Sequence, residues 1–126
     1  MSNSIRTCLW FRDGRGREAA ERYCSLIPGR RVETTFVTLT EAVSISVATD
    51  DQAETDRLWA ALTANGGEET ACGWLKDRYG VSWQIYPKRL SELTMSADKN
   101  VSARAMAEMM KQGKIDIAAI EAAARG

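Results

Sequence analysis

Twice along its 126 residues this chain passes from an alternating segment, through an acidic turn, into a helical stripe that glycine ends. In residues 5–11, Ile5, Thr7, Leu9 and Phe11 alternate with Arg6, Cys8 and Trp10, the period of a strand with two unlike faces. Asp13 and Gly14 turn the chain. Ala20, Tyr23, Cys24 and Ile27 then recur at helical spacing within 17–27, and Pro28 with Gly29 stops that helix. The second pass sets Val43, Ile45 and Val47 against Ser44 and Ser46 within 42–48, a strand with an apolar back and a small, polar front. Asp51 followed by Glu54 has the spacing of a capping box; Thr55, Leu58, Trp59 and Leu62 share one helical stripe, and Gly66 and Gly67 end it. Two copies fall short of the roughly three that a solenoid needs, so the expectation is two halves of one domain.

The second copy continues into three short strand candidates, at 68–72, 74–77 and 81–86, with Tyr79 and Gly80 as the turn before the last. The result is a β-α-β-β-β order, closed by Pro87 and Lys88. From Leu90 onward the spacing is helical. Val101, Ala105, Met109 and Gln112 form one line, Met106 and Met110 lie beside it, and Gly113 terminates it. Ile115 and Ile120 flank Asp116 as a hydrophobic staple around a cap, which starts a last helix. Two tail helices are expected.

The first copy has no such continuation. Residues 30–39 leave room for one or two strands of about five residues, and roughly 20 residues of a full module are missing. Two accounts stay open: a true deletion, or an omitted disordered segment between about Thr34 and Thr40. The expected organisation is one domain, 1–126, with an incomplete first module over 1–39, a second over 40–88 and a helical tail over 89–126.

Composition narrows the function classes. With 44% hydrophobic and 27% charged residues the chain suits one soluble core, and seventeen Lys and Arg balance seventeen Asp and Glu. That balance argues against nucleic acid or an anionic membrane as partner. No stretch approaches the ~20 apolar residues of a membrane span, and the start lacks the apolar centre of a signal peptide, so a cytoplasmic location is expected. Cys8, Cys24 and Cys72 are odd in number and far apart, which reads as reduced, mostly buried thiols. The chain has no histidine, so it cannot by itself build a Ser-His-Asp or Cys-His site, and it lacks the commonest metal ligand.

Several stretches resemble the PhnB-like family, also known by the name 3-demethylubiquinone-9 3-methyltransferase, of the vicinal-oxygen-chelate superfamily with its glyoxalase and bleomycin-resistance fold. They are TCLWF at 7–11, TEAVSI at 40–45, DDQAETD at 50–56, GGEE at 66–69, CGWLKDR at 72–78, YGVSWQI at 79–85 and KIDIA at 114–118. Their order and spacing together carry the resemblance over nearly the whole chain. It implies an α+β fold in which paired βαβββ modules form a curved mixed sheet around a cavity, with helices on the convex face and C-terminal helices added. Leu9, Phe11, Val43, Ile45 and Val47 would then back onto helices. Cys8, Trp10, Ser44 and Ser46 would face the hollow, joined by Gln84 and Tyr86 from the last strand, whose one face carries Ser82, Gln84 and Tyr86. The resemblance also implies a homodimer and a small-molecule ligand.

Matching YGVSWQI to the superfamily's closing strand puts Gln84 where metal-dependent relatives carry a glutamate ligand, with Cys8 and Ser44 near their histidine positions. Serine is a poor ligand unless activated, and the thiol would have to lose its proton, so no metal and no cofactor are expected. A metal-dependent lyase, isomerase or dioxygenase is the alternative, and whether the chain is catalytic stays open. Methyl transfer is not expected, because Gly14-Arg-Gly16 lacks the third glycine of a nucleotide-binding loop and no larger parallel sheet follows. Trp10 is the aromatic ligand candidate; Trp59 reads as core, and Trp74 and Trp83 as sheet or subunit contacts. Arg12, Arg15, Arg17, Arg22, Arg30 and Arg31 are interleaved with Asp13, Glu18 and Glu21, as on a solvated surface. Met106, Met109 and Met110 are expected to pack on the chain's own sheet or on a second subunit.

Overall fold

A computed structural model describes residues 15–29 and 43–126. The strand expected at 5–11, with Cys8 and Trp10, and the shortened stretch at 30–39 lie outside the described residues. Two compact units, 1–43 and 44–126, are described separately.

In the first unit, helix α1 (Gly16–Leu26) buries Gly16, Ala19 and Tyr23. Tyr23 belongs to the expected stripe, but the rest of the buried line sits on Gly16 and Ala19 in place of Ala20, Cys24 and Ile27, which are half-buried. Spacings of three and four residues satisfy either line, so sequence alone cannot choose between them. The outer face carries exposed ion pairs, Arg15 with Glu18 at 3.6 Å and Arg17 with Glu21 at 3.8 Å. Cys24, like Cys72 in the second unit, is a free thiol that is half-buried, less covered than composition suggested.

The second unit is built on a four-stranded mixed sheet: β1 (Ser44–Thr49), β2 (Glu68–Glu69), β3 (Trp74–Lys76) and β4 (Ser82–Pro87), ordered β1-β4-β3-β2. β1 runs parallel to β4, while β4, β3 and β2 form antiparallel neighbours. A parallel pair needs a crossover, and α2 (Gln52–Thr63) supplies it. Asp51 caps that helix by accepting from the Glu54 amide at 2.8 Å, and the Glu54 carboxylate takes the Asp50 amide at 2.8 Å, so the capping box closes one residue outside the cap. The Thr55 hydroxyl donates to the Asp51 carbonyl at 2.8 Å, which leaves Thr49 to donate to Thr55 at 2.7 Å and ties the end of β1 to the first turn of α2. At the other end a Cβ on Gly67 would lie 2.6 Å from the Thr63 backbone, so the chain leaves the helix at a place only glycine fits.

The helix stripe packs as its spacing predicts. Leu58, Trp59 and Leu62 are buried where α2 packs on β3 and β4, the strands that carry the buried Leu75, Trp83 and Ile85. Each such side chain contributes about 1.5–3 kcal/mol by leaving water. Trp59 also donates its indole N–H to Glu69 on β2. Trp83, expected at a sheet or subunit contact, lies in the sheet on β4 and is the largest fully buried side chain among the described residues. On β1 the apolar back is less covered: Ile45 and Val47 are half-buried and Val43, just before the strand, is exposed.

Asp77, buried at the β3–β4 turn, holds this hairpin together. One carboxylate oxygen accepts from the amides of Tyr79 at 2.9 Å and Val81 at 3.0 Å; the other accepts the Trp83 indole N–H at 2.9 Å. The β2–β3 turn is tighter than expected. Cys72 and Gly73 adopt φ of 60° and 80°, and the Trp74 amide reaches the Ala71 carbonyl at 3.1 Å, the pattern of a type I′ turn. This shortens β2 to Glu68–Glu69 where 68–72 was expected.

Three tail helices follow the sheet, not two: α3 (Lys88–Thr94), α4 (Lys99–Met109) and α5 (Ile117–Arg125). Seven residues with two buried leucines, Leu90 and Leu93, are too short to display a period, which is why α3 was not separable from α4 in the sequence. These two leucines join Ala105, Met109, Ile115, Ile120 and Ala124 in one apolar cluster. Asp116 accepts from the Ala119 amide at 3.0 Å, and Ile115 and Ile120 are both buried, so the cap and staple form as read. The tail is fastened to the sheet layer by backbone mimicry. Gln52 donates to the Ile115 carbonyl and the Asp56 carboxylate, both at 2.9 Å, and accepts the Ile117 amide at 2.8 Å. Lys114 pairs with Asp56 at 2.7 Å, and the amides of Cys72 and Gly73 donate to the carbonyls of Gln112 and Gly113 at 2.7 and 2.8 Å. Among the described residues no helix is long and apolar enough to cross a membrane.

Two expectations follow from these anchors. Asp77→Ala strands the buried Val81 amide and Trp83 indole N–H, and should cost about 2–4 kcal/mol in urea unfolding; Trp83→Phe combined with it should recover part of that loss in a double-mutant cycle. The Lys114 hydrogen bond, then that of Gln52, holds the Asp56 carboxyl below its ordinary range. A depressed folded-state value contributes stability above the unfolded value of about 4 and loses it as pH falls through the folded one. Unfolding midpoints should therefore drop below about pH 4, and Lys114→Met should flatten this pH dependence, with a small, salt-sensitive amplitude because both partners are near half exposed.

Candidate functional site

Strand parity divides the sheet of the second unit into two chemically different faces. On β4, Trp83 and Ile85 are fully buried while Ser82, Gln84 and Tyr86 are half-buried on the opposite side. The register extends this division across the sheet, because directly paired residues share a face. Ser44 lies beside Ser82, Ser46 beside Gln84 and Ala48 beside Tyr86; on the other flank of β4, Trp74 pairs with Gln84 and Lys76 with Ser82. One face is thus apolar and covered by α2. The other carries hydroxyls, an amide, an ammonium and two aromatic rings.

Of the candidate residues, Ser44, Ser46, Gln84 and Tyr86 fall on this polar face together, and Cys8 and Trp10 lie outside the described residues. Gln84 and Ser44 touch: the Gln84 Nε2 donates to the Ser44 Oγ at 2.9 Å, reaching diagonally past Ser46, its direct neighbour. Ser46 is exposed. Tyr86 has a different setting. Its hydroxyl donates to the Met109 Sδ at 3.0 Å, and its ring packs on the tail cluster beside Cys72. Burial, and to a smaller extent the Cys72 thiol, pushes the Tyr86 phenol above its ordinary value. Its ring therefore borders the polar face while its polar tip points into the tail.

Trp74 and Lys76 share the face and were not among the sequence candidates. The missing information was the antiparallel register of β3 on β4, which the Asp77 turn sets; once that turn is located, parity places both residues beside Gln84 and Ser82. Among the described residues no three or more Cys, Asp or Glu side chains converge as a metal-holding group. Two shallow surface pockets, of about 380 and 490 Å³, open among the helices around Arg89 and Glu121, and neither is lined by Ser44, Ser46, Gln84 or Tyr86.

The β-α-β-β-β order, with the parallel pair formed by its first and last strands, defines an α+β protein with a mixed open sheet and C-terminal helices. Comparison with known proteins agrees. The family model described as 3-demethylubiquinone-9 3-methyltransferase matches residues 32–86. A PhnB protein from Bacillus cereus, assigned by name to that methyltransferase family, superposes with a TM-score of 0.52 at 24% identity, covering 68% of this chain and 99% of its own. Protein PA1353 from Pseudomonas aeruginosa superposes at 0.50 with 21% identity, covering 67% of this chain and 98% of its own. No curated protein sequence matches the chain. The family model covers the middle of the chain, and the two solved structures share its fold.

Because both partners of the Gln84–Ser44 contact are partly solvated, Gln84→Leu and Ser44→Ala should each change stability by no more than about 1 kcal/mol, with a small positive coupling between them in a double-mutant cycle. The Tyr86 phenol should ionise above the range of an exposed tyrosine in a spectrophotometric titration. Cys72→Ala should bring it part of the way back, and Met109→Leu should leave burial as the dominant cause.

Proposed function

We propose that this protein binds a small, oxygen-bearing organic molecule on the polar face of its sheet, without a resident metal. The observation that carries the reading is the Ser44–Gln84 pair. Gln84 spends an amide hydrogen on Ser44, and its carbonyl oxygen has no partner among the described residues; Ser44 accepts that bond and keeps its own hydroxyl proton for a further acceptor. A donor and an acceptor thus sit side by side on a half-buried floor, next to the Trp74 ring. Such a pair suits a hydroxyl or carbonyl oxygen, and the flanking rings suit the carbon skeleton that bears it. Likeness to the PhnB-like family supports a ligand-binding role in general and leaves the chemistry of the ligand to the site. Methyl transfer, named in the family description, draws no support from a mixed sheet with a single parallel pair, which lacks the strand-end crevice of nucleotide-binding folds.

The same reading includes a homodimer, for which the exposed Met106 and Met110 on α4 supply adaptable apolar surface. Of the three methionines considered for packing, only Met109 is buried in its own chain.

A fragment set of vicinal diols and α-hydroxy ketones, titrated in 1H–15N NMR, should shift the Gln84 side-chain amide and the Trp74 indole signals saturably. Gln84→Leu should weaken those fragments by about fivefold or more, the loss of roughly one net hydrogen bond, while leaving the unfolding midpoint near that of the parent. Fragments that bind Gln84→Leu unchanged would remove the sheet face from consideration. Stoichiometric zinc, nickel or iron in protein purified without chelators would transfer the case to the metal-dependent lyases, isomerases and dioxygenases.

A further inference from the structure

We propose that Asn65 is a self-modifying site, whose side-chain amide is attacked by the backbone nitrogen of Gly66 and ends as a carboxylate that ages the junction between α2 and β2. Of the asparagines at 3, 65 and 100, Asn65 is the one that a glycine follows. Glycine matters because a Cβ on the next residue would crowd the approach of its nitrogen.

The structure leaves this pair of residues free to react. Asn65 and Gly66 lie just beyond the last turn of α2, both exposed and both left-handed, with φ of 56° and 102°. Among the described residues neither the Asn65 side chain nor the Gly66 amide makes a hydrogen bond, and a Cβ on Gly66 would meet nothing within 4 Å. The flanks are fixed by contrast. The Thr63 hydroxyl donates to the Trp59 carbonyl at 2.7 Å, and Gly67 is pressed against the Thr63 backbone. Closing the ring needs a rotation about the Cα–C bond of Asn65, which so short a stretch can make by local opening while the core stays closed. Asn100 is the internal contrast: it stands in the first turn of α4, its successor is β-branched, and the Val101 amide is engaged by the Asp98 carboxylate at 3.4 Å.

The Gly66 nitrogen gives up its proton to hydroxide and bonds to the Asn65 Cγ, the Cγ–Nδ2 bond breaks, and ammonia leaves behind a cyclic imide. Water then opens the ring. Attack at the main-chain carbonyl leaves an isoaspartyl link, and attack at Cγ leaves aspartate. Either way an amide and a water become a carboxylate and an ammonium ion, with no change of oxidation state. The new charge falls at the end of α2 whose carbonyls are already negative, just ahead of Glu68 and Glu69. The isoaspartyl link also adds a carbon to the backbone where Gly67 leaves no slack. Both changes loosen β2, and with it the Glu69 carboxylate that accepts the Trp59 indole N–H.

The test is storage of the folded, full chain in warm, mildly alkaline buffer made with heavy-oxygen water, followed by mass mapping of the tryptic peptide 58–76. That peptide should gain the mass of a labelled hydroxyl in place of an amino group, and fragmentation should find part of the product on an isoaspartyl backbone. Conversion should quicken as pH rises and run at least about tenfold faster than at Asn100. Stored protein should unfold at a lower midpoint than fresh protein. Asn65→Gly, which keeps the left-handed turn, should form no such product and hold its midpoint on storage. An Asn65 that stays intact in the folded chain while guanidinium-unfolded chain converts, equal rates at Asn65 and Asn100, or a midpoint that falls on storage as far in Asn65→Gly as in the parent would each overturn the proposal.

Discussion

The pairing of β1 with β4 in parallel governs the second unit. Strands running the same way cannot be joined by a tight turn, so the chain must leave the end of β1, cross the sheet as a helix and return at the starting edge. Here that path is α2, and β2 and β3 are then added as antiparallel neighbours on the far side of β4. β4 becomes an interior strand between β1 and β3, and its inward residues Trp83 and Ile85 are wholly buried. The buried carboxylate of Asp77 and the Thr49–Thr55 hydroxyl pair hold the two ends of this arrangement, the return hairpin and the departure into the helix.

With one face of the sheet committed to α2, the other has no apolar requirement, and its serines, glutamine and lysine are tolerated without orphaned buried polar atoms among the described residues. The same division explains Tyr86. It sits at the end of β4 where the tail returns, so its ring belongs to the polar face and its hydroxyl to Met109. The tail in turn is fastened through polar groups that imitate peptides: Gln52 for the segment around Ile115, the turn amides of Cys72 and Gly73 for Gln112 and Gly113, and Arg104 for the end of α5.

Much of this was legible residue by residue. The Asp51–Glu54 box, the Leu58–Trp59–Leu62 stripe, the alternation of 81–86 and the staple around Asp116 act between near neighbours, so their spacing is their signature. Elements that depend on distant partners were read less well. α3 is too short to show its period, β2 is cut short by a turn whose left-handed residues include a cysteine, and Trp83 gave no sign that it, rather than a residue of α2, would be the largest fully buried side chain among the described residues. Trp74 and Lys76 joined the candidate face only through the register of a hairpin.

From its residues alone this protein was bound to alternate strand and helix, to cap its helices where aspartates stand, and to carry polar and apolar residues on opposite sides of its last strand. Those outcomes rest on backbone periodicity and hydrogen bonds within a few residues. Which strands pair, which half-polar face lies next to which, and whether Gln84 meets Ser44 or Arg104 meets Ala124 were decided by the tertiary structure. Such contacts join residues 40 and 20 positions apart, and only the burial of a shared core makes one such pairing cheaper than the rest.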